Sequence, residues 1–190
     1  MTAHDPYALP DDLVEPPDDG ACAHLEGTRM PEVRLPSTDG EPVDVRVPGL
    51  AVFYVYPKSG RPGVDPPPGW DATPGMRGCT PQSCAFRDHH AELVALGAAV
   101  YGVSTQTTEE QREFASRLEL PYPLLSDPDG ELGSTLGLPL VDVTDSLRVY
   151  RRVTLITRDA EIVKVFYPVF PPDENAAEVV AWLTNTIRVG

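Results

Sequence analysis

Positive charge is scarce in this sequence. Fifteen Lys and Arg residues face 29 Asp and Glu, which leaves a formal net charge of -14. Phosphate backbones and anionic lipid surfaces repel such a chain, so neither nucleic acid nor a membrane is an expected partner. Lys58 and Lys164 are the only lysines, a bias toward Arg that carries no functional signal. Long apolar runs are missing as well, and none approaches the ~20 residues of a membrane span. The opening stretch is acidic and Pro-rich and lacks the basic and apolar regions of a secretory signal. A cytoplasmic location is therefore expected. Cysteine is rare, with three residues in 190. So few thiols in a reducing compartment do not make a disulfide framework.

Other features are abundant. Hydrophobic residues make up 41% of the chain, enough for a real core in one domain. There are 22 prolines, and they cluster between Pro10 and Pro17 and between Pro57 and Pro74. Residues 1–29 are acidic and Pro-rich without a clear period. They read as an extension on the surface or partly disordered, ahead of one domain over residues 30–190.

Within that domain the periodicity changes repeatedly. Val33–Leu35 and Val43–Val47 alternate apolar and polar residues around the turn signal Ser37-Thr38-Asp39-Gly40, which predicts a β-hairpin. Leu50–Tyr56 is a continuous apolar run, as expected of a strand buried on both faces. Residues 57–78 are too rich in Pro and Gly for a helix or central strand, and a loop of that length is usually functional. A helix is then expected with Thr80 as N-cap and Pro81 at its first position, ending at Gly97. A strand at 98–103 follows, then a helix capped by Thr107 or Thr108, with Glu109 and Glu110 in its first turn. A strand near 121–126, a helix capped by Asp129, strands at 152–157 and 161–166, and a helix over 173–188 complete the pattern. Its apolar face is expected at Ala177, Val180, Ala181, Leu183 and Ile187. Alternating strands and helices predict an α/β fold with a mainly parallel or mixed central sheet flanked by helices.

The sulfur atoms carry the chemistry. Cys79 sits where the long loop meets the predicted helix. Backbone N–H groups are unpaired there and the helix dipole is positive, and both favour a thiolate. A thiolate is the species that attacks peroxides and disulfides. Cys84 lies five residues on, inside the helix. That spacing holds the Cα atoms about 8–9 Å apart on an intact helix, while a disulfide needs them within about 7 Å. The two sulfurs can join only if the first turns unwind, which makes this a two-state element. A metal site built from Cys79, Cys84, His89 and His90 is the competing reading, at the edge of zinc-ligand spacing. Cys22, in the extension, receives no role.

Val55-Tyr56-Pro57-Lys58 followed by Gly78-Cys79-Thr80-Pro81-Gln82-Ser83-Cys84-Ala85-Phe86-Arg87-Asp88 resembles the peroxiredoxins, and most closely the Q-type, or bacterioferritin-comigratory-protein-like, branch. Gly102-Val103-Ser104, Pro123–Asp127 and Arg152–Ile156 extend the resemblance, which runs from about Met30 to Leu183. It implies a thioredoxin-like fold and a thiol peroxidase. By this resemblance Cys79 reduces hydrogen peroxide or an organic hydroperoxide and becomes a sulfenic acid. Cys84 then resolves it to an intramolecular disulfide, and thioredoxin or a similar dithiol reductant restores the thiols. Arg152 matches the family's arginine, whose guanidinium steadies the thiolate and holds the peroxide oxygens; on a strand, Arg151 would point away from it. No metal or other cofactor is implied, and the protein would be a monomer or homodimer.

The sequence departs from the family in the active-site loop. The stretch from Pro57 to Cys79 is much longer than the family's, so residues 57–78 form an insertion. The family places Thr or Ser three residues before the cysteine, where this chain has Met76. Thr73, in Thr73-Pro74-Gly75, is the candidate to supply that hydroxyl. Pro57, Trp70, Met76, Arg77 and Gly78 are candidate pocket residues. Two alternatives stay open. One is a peroxiredoxin scaffold turned to other thiol-dependent small-molecule chemistry, which predicts a sizeable apolar cavity lined by Trp70 and Met76. The other is a non-catalytic redox sensor.

Overall fold

A computed structural model describes residues 9–10 and 12–189. The rest of the expected N-terminal extension, residues 1–8 and 11, lies outside the described residues. A small antiparallel hairpin pairs β1 (Arg34–Leu35) with β2 (Val43–Asp44). The central sheet has five strands: β3 (Leu50–Val55), β4 (Ala98–Ser104), β5 (Leu124–Ser126), β8 (Val153–Arg158) and β9 (Glu161–Phe166), in the order β5-β4-β3-β8-β9. β3, β4 and β5 run parallel, whereas β8 and β9 are antiparallel to their neighbours. The sheet is thus mixed, one of the two arrangements that the alternating pattern allows.

Strand periodicity divides the core. Along β3, Val52 and Tyr54 face one side with Tyr56 just beyond the strand, and Ala51, Phe53 and Val55 face the other. The first side packs on α1 (Cys79–Asp88), α2 (His90–Ala95), α3 (Thr108–Leu118) and α5 (Asn175–Val189) through Phe86, Leu93, Phe114, Leu118, Val179 and Leu183. The second packs on α4 (Glu131–Leu136) and on Cys22, Leu25 and Met30. Residues 20–29 therefore differ from a surface extension. Leu25 is fully buried, and the chain there is pinned by backbone bonds between Gly27 and Ile162 and between Met30 and Ala160.

Several boundaries move, each for a local reason. Gly78 adopts a left-handed φ of 99° and serves as N-cap, so α1 opens at Cys79 and Thr80 is its second residue. The single helix expected through Gly97 is broken at His89, whose φ and ψ are not helical. Thr107 caps α3 with a complete capping box: its side chain accepts from the Glu110 N–H, and Glu110 reaches back to the Thr107 N–H. Asp127, not Asp129, serves α4, because its carboxylate accepts from the N–H groups of Glu131, Leu132 and Gly133. The buried face of α5 is Ala176, Val179 and Leu183, one residue out of phase with Ala177 and Val180; the Ile187 side chain lies outside the described residues. A second hairpin, β6 (Leu140–Thr144) with β7 (Leu147–Tyr150), stands apart from the central sheet and was not expected.

Candidate active site

The inserted loop is anchored by a small core of its own. Trp70 and Met76 pack with Val149 of β7, and Val141, Val143 and Leu147 close around them. Met76 is 1% exposed. Short turns staple the intervening chain, with Thr73 N–H bonded to the Trp70 carbonyl and Met76 N–H to the Thr73 carbonyl. The β6–β7 hairpin thus serves as the platform on which the loop is built. Trp70 and Met76 fill this platform and do not line a large cavity.

The loop delivers its last carbonyls to the sulfur. Cys79 Sγ lies 3.6 Å from the Met76 carbonyl oxygen, which can accept from the sulfur only in its protonated form. Arg152 donates from Nη2 to Cys79 Sγ at 3.4 Å, to the Arg77 carbonyl at 3.1 Å and to the Gly75 carbonyl at 3.4 Å. Its Nη1 donates to the Gln82 side-chain oxygen. Gln82 in turn donates to Asn175 Oδ1 at 3.1 Å, which also accepts from the Thr154 hydroxyl at 2.7 Å. Arg152 sits in the short break between β7 and β8, not on the strand, so strand alternation does not set the direction of Arg151.

Gly78 is required twice over. Its φ suits glycine, and a Cβ there would lie 2.4 Å from Pro172 Cγ. Cys79 is 4% exposed and opens α1, where first-turn N–H groups lack helical partners. Cys84 is half-buried on the same helix, and burial raises its thiol pKa. The intact α1 therefore holds the two sulfurs in the separated state, at the Cα spacing of about 8–9 Å that helical geometry dictates. Behind α1, the buried Tyr54 hydroxyl meets Ser83 Oγ at 3.2 Å and the Tyr122 hydroxyl at 3.1 Å, and burial pushes the ionisation of both tyrosines upward.

The structure thus gathers Cys79, Arg152, Gly78 and the backbones of Met76 and Arg77. It leaves other candidates apart. The Thr73 hydroxyl donates to the Gly69 carbonyl at 2.8 Å, inside its own loop, and no hydrogen bond among the described residues joins it to Cys79. The expectation that Thr73 supplies the missing hydroxyl is not met in this conformation. Pro57 is buried at the end of β3, and its carbonyl accepts from Ser104 at 3.0 Å. Gln82, Asn175 and Thr154 were not among the candidates. Gln82 lies one helical turn after Cys79, but nothing local reveals that it meets an arginine 70 residues away.

Among known proteins, residues 25–180 match the redoxin family. The chain is 34% identical over 137 residues to peroxiredoxin bcp1 of Schizosaccharomyces pombe, covering 70% of this chain but 63% of that protein. It is 30% identical over 162 residues to the chloroplastic peroxiredoxin Q of Suaeda salsa, covering 84% of this chain and 68% of the relative. The crystal structure of peroxidoxin BcpB from Mycobacterium tuberculosis superposes with a TM-score of 0.69 at 27% identity, over 85% of this chain and 98% of that one. The chain belongs to the redoxin family and, within it, to the Q-type peroxiredoxins.

Proposed function

We propose that the protein is a thiol peroxidase that reduces hydrogen peroxide or an organic hydroperoxide at Cys79. One observation carries the reading. Arg152 is 3% exposed, its hydrogen-bond partners are neutral oxygens and Cys79 Sγ, and its Nε has no partner among the described residues. A buried guanidinium without an anion is costly, since buried charges are normally paired. The Cys79 thiolate is the anion within its reach.

The steps follow from this pairing. The Cys79 thiolate attacks one peroxide oxygen, the O–O bond breaks, and hydroxide or alkoxide leaves and takes up a proton. Cys79 becomes a sulfenic acid. Arg152, held by Gln82 and two loop carbonyls, presents N–H donors to the oxygens as charge develops on them. The first turns of α1 then unwind. Cys84 attacks the sulfenic sulfur, a disulfide forms and water departs. A dithiol of the thioredoxin type reduces the Cys79–Cys84 disulfide and becomes a disulfide itself. A reducing compartment such as the cytoplasm supplies such dithiols.

Stopped-flow mixing with hydrogen peroxide and an organic hydroperoxide tests the reading. Oxidation of Cys79 well above the rate of free cysteine is expected with at least one. Rates no faster than free cysteine with both would overturn it. The alternative of other small-molecule chemistry predicted a sizeable cavity at Trp70 and Met76, and those two side chains are instead packed on Val149.

A further inference from the structure

The N-terminal segment touches the active-site loop at successive points. Asp12 forms an ion pair with Arg77 at 3.0 Å and accepts a second bond at its carbonyl, 3.3 Å from Arg77 Nη2. Pro16 is buried, and a Cβ on Gly75 would meet its Cγ at 3.4 Å. Asp19 accepts from the Tyr167 hydroxyl at 2.9 Å. Contacts at Asp12 with Arg77 and at Pro16 with Gly75 run antiparallel along the loop that leads into Cys79. Arg77 thus pairs with Asp12 of this segment at 3.0 Å and more distantly with Asp71 of its own loop at 4.0 Å.

The segment also walls a hollow beside Arg152. The hollow has a volume of about 10 Å³, and Pro16, Gly75, Met76, Tyr167 and both Arg151 and Arg152 are among the residues around it. A space of that size admits about one water-sized group. Arg152, whose Nε is buried and lacks a partner among the described residues, forms part of its wall, while its Nη2 reaches Cys79. One peroxide oxygen is of that size, whereas an aryl or branched alkyl group exceeds it while Pro16 stays in place.

We propose that residues 12–19 form a strap that sets substrate size: Pro16 closes the hollow beside Arg152 and the Asp12–Arg77 pair holds it there, so hydrogen peroxide is admitted and bulky hydroperoxides are excluded. The proposal rests on the peroxidase reading above. Asp12 is largely exposed, its side chain 79% accessible. An ion pair of that kind shifts a closed–open equilibrium only a few fold. Pro16 is the steric element, and its truncation should act more strongly.

The experiment measures second-order rate constants of Cys79 oxidation for hydrogen peroxide and cumene hydroperoxide in the full chain. The readout is the ratio of cumene to hydrogen peroxide rates. Asp12→Ala should raise the ratio by roughly threefold, and Asp12→Ala with Pro16→Ala by about tenfold or more. Hydrogen peroxide rates should stay nearly constant in both. In the wild type, raising the ionic strength should also raise the ratio, and Asp12→Ala should remove that salt effect. This last arm holds even if the double variant folds poorly. Failure of the wild type to react with hydrogen peroxide would overturn the peroxidase reading. A fast wild-type reaction with the same ratio in every variant and at every salt concentration would overturn the strap alone.

Discussion

Two cysteines in this molecule are equally hidden from solvent and differ in everything else. Cys22 and Cys79 are each 4% exposed. Cys22 lies in the apolar cluster with Leu25 and Met30, beneath Asp18 and Asp19. Burial, with those two carboxylates, pushes its thiol up to about 12. Cys79 meets a guanidinium, a helix N-terminus and a loop carbonyl. On the proposed function, burial alone does not decide reactivity; the sign of the surrounding charge and the direction of the surrounding N–H groups do. One region keeps a thiol protonated and inert. The other presents the Arg152 guanidinium to the sulfur.

The widest test of this contrast is loss of each sulfur in turn. Cys79→Ser should abolish peroxide consumption in a coupled assay with a dithiol reductant, while Cys22→Ser should leave it intact. Cys84→Ser separates the two halves of the cycle. Its first oxidation, followed by stopped flow, should match the wild type, but turnover with the dithiol should stall and a sulfenic acid should be trapped at Cys79. Removing the cation attacks the contrast from the other side. Arg152→Gln should slow the first oxidation by about 10²–10³-fold, as loss of a positioned donor does in other enzymes. Arg152→Lys should recover little, because one ammonium cannot replace a fork that holds Cys79, Gln82 and two carbonyls together.

Packing at the platform should matter less for chemistry and more for stability. Met76→Ala empties the small core under the loop and should cost about 2–5 kcal/mol, the range for a buried Met truncated to Ala. Urea denaturation checks it. The smallest effect expected comes from Cys22. Its folded-state pKa is raised, so the folded protein keeps the proton after the unfolded chain has released it. That stability is fully present below the unfolded value of 9.0 and is lost as pH rises toward about 12. Urea midpoints should therefore fall more steeply with pH in this window for the wild type than for Cys22→Ala.

The sequence made some of this visible and hid the rest for physical reasons. The parallel strands β3 and β4 announced themselves as apolar runs because both faces are covered. Thr107 and Glu110 stand at capping-box spacing, so α3 was legible from one local motif. Cys79 was singled out by its place at the helix start and Arg152 by the peroxiredoxin-like motif around it, and the structure puts the two side chains in contact. Their mutual distance was not legible, because 73 residues separate them and only the sheet brings them together. The β6–β7 hairpin escaped although Leu140–Tyr150 carries β-branched residues around Asp145-Ser146. Val149 packs on Trp70 and Met76 of the insertion, and the hairpin forms a sheet of its own, so it breaks the alternation of strands and helices. The inserted loop read as irregular because its order comes from that hairpin and from Asp12, none of which is local to it. Thr73 was assigned by motif alone, and the turn that bonds its hydroxyl to Gly69 took it away from the sulfur.

The most direct measurement is peptide mapping by mass spectrometry after one equivalent of hydrogen peroxide. The account predicts a single disulfide between Cys79 and Cys84, with Cys22 recovered as a free thiol. Oxidation that falls on Cys22, or a Cys79 that stays reduced, would contradict it.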